Sequence, residues 1–237
     1  MSDQQPQNGH GYSSDEIAQR VEEFLRAVEE ERAGKREVDP EYPLCLCLMD
    51  CNCTEADVAR LSADPRIRET LTNLALDLNW FSKECDETAL ANALKPLTKL
   101  TRLDLGLNLL SDMAALAEAL KSLTELTCLW LNDNGFSDAD ALAEALKPLT
   151  KLTELSLEDT GLSDAAGLVK ALRPLTELTV LYVGQNKFSD ADADVLIEGL
   201  MPFTKLTELD LNHNEFSDEI EARIIKAVCR GERSEEQ

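Results

Sequence analysis

One short segment of this chain returns seven times in register, and few folds accommodate that. LTKLTRLDLGLNLLSD at Leu97 recurs as LTELTCLWLNDNGFSD at Leu123, LTELSLEDTGLSD from Leu152, LTELTVLYVGQNKFSD at Leu175 and FTKLTELDLNHNEFSD at Phe203. Two weaker copies precede them, LCLCLMDCNCTE from Leu44 and LTNLALDLNWFS from Leu71. The first leucine of each L-x-L gives the anchors Leu46, Leu74, Leu103, Leu129, Leu155, Leu181 and Leu209, at steps of 28, 29, 26, 26, 26 and 28 residues. A unit of that length cannot bury an apolar face alone, so the copies must stack and share one continuous core.

Each unit reads as strand, turn, short helix and return. In the L-x-L the leucines face one side and their neighbours the other, as strand alternation requires. Five residues after each anchor stands Cys51, Asn79, Asn108, Asn134, Thr160, Asn186 or Asn214. Two residues later comes a hydrophobe in every copy, then a hydroxyl (Thr54, Ser82, Ser111, Ser137, Ser163, Ser189, Ser217), then an acid in every copy except at Lys83. A hydroxyl followed by an acid opening a helix predicts an N-cap with a favourable dipole charge. Pro96, Pro148, Pro174 and Pro202 are expected to stop four of the helices before the next strand.

The pattern L-x-x-L-x-L-x-x-(N/C/T) resembles the leucine-rich-repeat family over roughly residues 44–228. The period and the ALAEALKP helix are similar to the ribonuclease-inhibitor-like subclass, and the LT-x-LT-x-L run is similar to shorter-repeat subclasses. The resemblance implies an α/β solenoid of about seven repeats, with parallel strands on a concave face and short helices on the convex one. It also implies that the Asn, Thr and Cys of each copy point inward and hydrogen-bond the turn leaving the strand, which suits otherwise unpaired loop backbone.

Residues 1–13 are polar and are expected to form a disordered leader; residues 14–43 read as a capping helix and linker, and 229–237 as a charged tail. In the helix, Ile17, Val21, Phe24, Leu25 and Val28 recur at helical spacing, with Ser13 or Ser14 to cap it and Gly34 to end it. Such a helix covers the first hydrophobic layer of an array. The repeats with their last helix, about 218–230, close at residue 228.

Composition narrows the function. The net charge is −23, from 46 acidic and 23 basic residues, so direct nucleic-acid binding and anionic membranes are disfavoured and basic protein partners are favoured. No apolar run reaches the length of a membrane span, and the N-terminus has no apolar signal core. Seven clustered cysteines, an odd number, point to reduced thiols and an intracellular, cytoplasmic setting.

Catalysis has little to work with. His10 lies in the leader and His213 at a strand end, no phosphate-binding glycine loop is present, and the repeated Ser-Asp pairs read as caps. The acids of DADAD at 190–194 read as a helix start and lack the Gly and closing Glu of a calcium loop. In CLCLMDCNC, Cys45 and Cys47 share the concave side while Cys51 and Cys53 take inward positions, which argues against a shared metal site. We therefore expect no cofactor, no metal and no enzyme activity.

Four outward columns follow from the alternation, and their residues differ between copies because packing does not fix them. They read Cys45, Asn73, Arg102, Cys128, Glu154, Val180, Glu208; Cys47, Ala75, Asp104, Trp130, Ser156, Tyr182, Asp210; Met49, Asp77, Gly106, Asn132, Glu158, Gly184, Asn212; and Asp50, Leu78, Leu107, Asp133, Asp159, Gln185, His213. Of these 28 positions 9 are acidic and 1, Arg102, is basic, a steeper bias than in the whole chain. The expected partner-binding residues are Asp104, Trp130, Asn132, Asp133, Glu154, Glu158, Asp159, Tyr182, Glu208 and Asp210, with the two aromatics as anchors. The function expected is capture of a basic protein surface or segment. Two alternatives stand beside it: a regulator in trans, such as a small-GTPase-activating protein, and a structural subunit of a larger assembly.

Overall fold

The structure is a computed structural model that describes residues 13–35, 44–79, 81 and 85–229. The expected leader up to residue 12, residues 36–43 of the expected linker, Ser82 and Lys83, and the tail from residue 230 lie outside the described residues. Among those described, seven strands form one parallel sheet in chain order: β1 (Leu46–Cys47), β2 (Asn73–Ala75), β3 (Arg102–Asp104), β4 (Cys128–Trp130), β5 (Glu154–Ser156), β6 (Val180–Tyr182) and β7 (Glu208–Asp210). The anchor leucines pair with one another along the whole stack, from Leu46 with Leu74 to Leu181 with Leu209. Leu103, Leu105, Leu129, Leu131, Leu155 and Leu157 are all buried, and each such side chain removed from water contributes about 2 kcal/mol.

The strand length follows from the turn that ends it. The residue four after each anchor (Asp50, Leu78, Leu107, Asp133, Asp159, Gln185 and His213) adopts a left-handed backbone with φ between 48° and 59°. In the first six repeats the N–H of that residue still donates to the neighbouring repeat, and its left-handed conformation then turns the chain inward; no strand exceeds three residues. Behind the turns the asparagines form a ladder interrupted at Thr160. The Asn108 Nδ2 donates to the carbonyls of Leu76 and Leu105 while its Oδ1 accepts from the Asn79 N–H. Asn79, Asn134, Asn186 and Asn214 each likewise donate to a carbonyl of their own repeat and one of the repeat before. Thr160 is the exception: its hydroxyl donates to Leu157 of its own repeat and reaches no carbonyl of repeat four.

The helices are α1 (Ser14–Arg32), α2 (Glu55–Ala63), α3 (Pro65–Thr70), α4 (Glu87–Leu94), α5 (Met113–Leu120), α6 (Ala139–Leu146), α7 (Ala165–Leu172), α8 (Ala193–Leu200) and α9 (Asp218–Val228). Helices pack about 8–10 Å apart and strands about 4.8 Å, so stacking them in one array bends it with the strands on the inside. α1 starts on a capping box between Ser13 and Glu16 and buries Ile17, Phe24, Leu25 and Val28 in the same core as the first repeat. Gly34 follows its end in the left-handed region, φ 66°. The α3 helix had no counterpart in the sequence reading; Asp64 caps it by accepting from the Arg66 N–H, and Pro65 opens it, where a missing N–H costs nothing.

The cap assignment needs correcting in the middle repeats. Asp86, Asp112, Asp138 and Asp164 cap α4 to α7, each carboxylate accepting from a first-turn N–H. Ser111, Ser137 and Ser163 stand outside α5 to α7, and the charged acceptor wins at a positive helix end. Thr54 does cap α2. Ser189 opens the short 3₁₀ turn Asp190–Asp192 that leads into α8, with its N–H and hydroxyl both donating to Asp192. The prolines stand where expected, two residues after the last helical leucine, but α5 ends at the same point with Ser122 in that place.

Candidate protein-binding face

Strand register sets the concave face as rows. Across the second column Asp104, Trp130, Ser156, Tyr182 and Asp210 are direct neighbours, and across the first column Arg102, Cys128, Glu154, Val180 and Glu208. Trp130 and Tyr182 therefore stand two strands apart, about 10 Å. Ser156, between them in the register, is buried. Trp130 is 38% exposed, although it is a large aromatic with no place in the core.

Several outward columns are less open than alternation alone implies. Asn73, Cys128 and Ser156 are buried. Asn73 donates to the Leu44 carbonyl and accepts from the Thr101 hydroxyl, and so ties the first three repeats together. Cys128 lies beside an ion pair in which the Arg102 guanidinium reaches over to Glu154 at 3.0 Å. Burial, reinforced by Glu154, pushes the Cys128 thiol up to about 12. In the third column the two glycines make room for neighbours: a Cβ on Gly106 would lie 2.8 Å from the Asn132 Oδ1, and one on Gly184 2.9 Å from the Asn212 carbonyl oxygen.

The ten expected residues fall on this face in two groups. Asp104, Trp130, Asn132 and Asp133 lie on β3, β4 and the turn after β4, while Glu154, Glu158, Asp159, Tyr182, Glu208 and Asp210 occupy β5 to β7 and the turn after β5. Asn132 Nδ2 donates to Asp133 at 2.8 Å, and Gln185 Nε2 donates to Glu158. The Tyr182 hydroxyl donates to Glu208 at 2.7 Å; that bond, with the surrounding acids, raises the phenol to about 12. Asp104 accepts from the Gly106 N–H, yet burial lifts its carboxyl to about 6, and burial raises Asp77 as well. Asp133 and Asp159 owe their orientation to the left-handed turn and not to strand alternation.

Counter-charges are elsewhere. Among the described residues the ion pairs formed by lysine, Lys121 with Glu118, Lys147 with Glu144, Lys151 with Glu125, Lys170 with Asp140 and Lys205 with Glu177, all lie off this face. The described concave acids have one basic partner among them, Arg102. A threonine ladder, which sequence reasoning missed, holds the strand entries: each hydroxyl of Thr101, Thr127, Thr153, Thr179 and Thr207 donates to the carbonyl of the preceding repeat's threonine. The signal was the recurrent LT before each strand.

At the sulfur-rich end, Cys45 just before β1 and Cys47 on it are exposed, while Cys51 and Cys53 are buried. The Arg20 Nη1 of α1 donates to the Cys47 carbonyl at 2.9 Å. Among the described residues no group of three or more His, Cys, Asp or Glu is placed to hold a metal, and no helix is long and apolar enough to cross a membrane.

One strand per unit, seven in register, a buried asparagine ladder and a helical return define a leucine-rich-repeat solenoid. A family model described as a leucine-rich repeat matches residues 204–220, the strand and turn of the last unit. Among solved structures the chain is similar to an internalin from Listeria monocytogenes, at 22% identity and a TM-score of 0.43, over 73% of this chain and 54% of that one. It is also similar to an internalin C2 from the same organism, at 21% identity and a TM-score of 0.41, over 86% of this chain and 78% of that one. The chain spans about half the length of the first of these. No curated protein sequence matches it.

Proposed function

We propose that this solenoid is a non-enzymatic interaction module that binds a basic protein surface or segment along its concave face, chiefly on β3 to β7. The observation that carries the reading is a face where acids outnumber bases and the single base is already paired. Arg102 is held by Glu154 at 3.0 Å, so the remaining carboxylates are available to cations from outside. Trp130 and Tyr182 stand two strands apart on this face, and aromatic rings beside carboxylates suit Arg or Lys. The pairing of Arg102 with Glu154 also speaks against a trans-acting GTPase regulator that would use the one concave arginine. The seven unpaired thiols favour a reducing, cytoplasmic setting. The eight-residue helix that returns from α4 to α8 favours the ribonuclease-inhibitor-like subclass.

The test is affinity capture from cells of the source organism with two baits, each checked for folding by circular dichroism. One is the wild-type chain and the other carries Trp130→Ala, Tyr182→Ala and Glu158→Arg. We expect a basic partner that the variant loses and that elutes as salt screens the exposed charges. If both baits retain the same partners, or the partner resists salt, the concave reading is wrong.

A further inference from the structure

The sulfur end of the concave face is left over by that function, and its chemistry is different. Exposure alternates through β1 and its flanks: Leu46 and Leu48 are buried, Cys45 and Cys47 are exposed, and Met49 in the turn that follows is 44% exposed. Three consecutive outward positions thus carry sulfur. The repeat does not require it, because the same columns hold Asn73, Arg102, Glu154 and Glu208, or Ala75, Asp104 and Asp210, in other copies. Cys51 and Cys53 are different in kind, since they fill the inward Asn and Phe/Leu positions and pack in the core.

We propose that Cys45 and Cys47, with the thioether of Met49 beside them, bind a soft monovalent metal ion, and that copper(I) is the ion whose chemistry fits. Residues two apart on one strand face have Cα atoms about 6.6 Å apart. Rotating each side chain about its Cα–Cβ bond can bring the sulfurs within about 4.6 Å, the span of two metal–thiolate bonds of about 2.3 Å. Cys47 lies opposite Ala75, whose small side chain leaves room on that side. The guanidinium of Arg20 fixes the Cys47 carbonyl and sets a positive charge near the anionic site.

The same geometry disfavours zinc. Zinc takes four ligands, and the two remaining cysteines of the cluster lie on the other side of the sheet. Two thiolates satisfy copper(I), and a thioether is a natural third ligand. In the binding step the ion forms two S–Cu bonds as two S–H bonds break. Both protons go to solvent, no electron moves, and the site carries one net negative charge.

The experiment is an anaerobic titration of the full chain with copper(I) against the chromogenic chelator bathocuproine disulfonate. Wild-type chain is expected to withdraw one equivalent, and Cys45→Ser with Cys47→Ser to withdraw none. The double variant should keep the wild-type urea midpoint, because both side chains face outward. Cys45→Ser alone, a milder change, should also abolish the equivalent. Cys85→Ser with Cys229→Ser should leave it intact. Copper that stays with the chelator in the wild-type titration overturns the proposal. So does copper retained by the double variant, or preferential retention of zinc(II) when both ions are offered.

Discussion

Replacing Asn108 by alanine removes the middle of the asparagine ladder. The side chain is 0% exposed and makes three bonds: 2.9 Å to the Leu76 carbonyl, 3.0 Å to the Leu105 carbonyl, and 2.8 Å from the Asn79 N–H. The two carbonyls keep a partner, because Asn79 also donates to Leu76 and Asn134 also donates to Leu105. The Asn79 N–H loses its acceptor and is buried. At about 1 kcal/mol net for each lost bond, with the orphaned donor at the upper end, the cost is about 3–4 kcal/mol. With a urea m-value near 3 kcal/mol/M for a chain of this size, the midpoint should fall by about 1 M. Asn108→Thr is the informative companion, since Thr160 shows that a hydroxyl keeps the bond within its own repeat. It should cost about 2 kcal/mol, less than alanine. A midpoint shift below about 0.2 M for Asn108→Ala would refute the ladder as a stabilising element, as would a threonine variant no better than alanine.

Other consequences can be measured on the same scale. Thr160→Asn should complete the ladder by reaching the Leu131 carbonyl, and raise stability by about 1 kcal/mol in the same urea assay; a lower midpoint would show that the site has no room for it. Asp104 has a folded pKa of about 6 against about 3.9 unfolded, so the folded state binds the extra proton and stability is lost as pH rises through that window. Asp104→Asn should therefore stabilise the chain by about 1–2 kcal/mol at pH 8, after allowance for solvent screening, and by nothing near pH 3. Unfolding curves with a pH-independent difference would discard this. Leu109 is 57% exposed in the left-handed region at φ 58°, where Asn52 stands in the first repeat at φ 49°. Leu109→Asn should gain about 0.5–1 kcal/mol, and a loss in thermal melting would show that the leucine packs usefully.

The solenoid was legible in the sequence because its two determinants are periodic. An L-x-L that recurs every 26 to 29 residues leaves no freedom in register, and each anchor leucine pairs as that spacing demands. The inward asparagines were legible for the same reason. What alternation could not convey was the depth of the outward columns. Asn73, Cys128 and Ser156 are buried by what stands next to them on neighbouring strands, and those neighbours are 26 or more residues away in the chain. Nor does alternation extend into the left-handed turn, where backbone conformation alone sets the direction of Asp133 and Asp159. The capping serines were misjudged because hydroxyl and carboxylate compete for the same N–H groups, and which one wins depends on where helical dihedrals begin. The ten candidate residues lie on β3 to β7 and the turns after β4 and β5, as the repeat register places them.

The missing rung at Thr160 has a mechanical meaning. A linear array holds together through its junctions, and the one that keeps its threonine tie but lacks the asparagine rung is a seam with fewer cross-bonds than its neighbours. That seam lies between β4 and β5, and the two rings stand on either side of it, Trp130 before and Tyr182 after. A guest gripped by both rings bridges the seam like a splint, so the occupied solenoid would open as one body where the empty one divides into two.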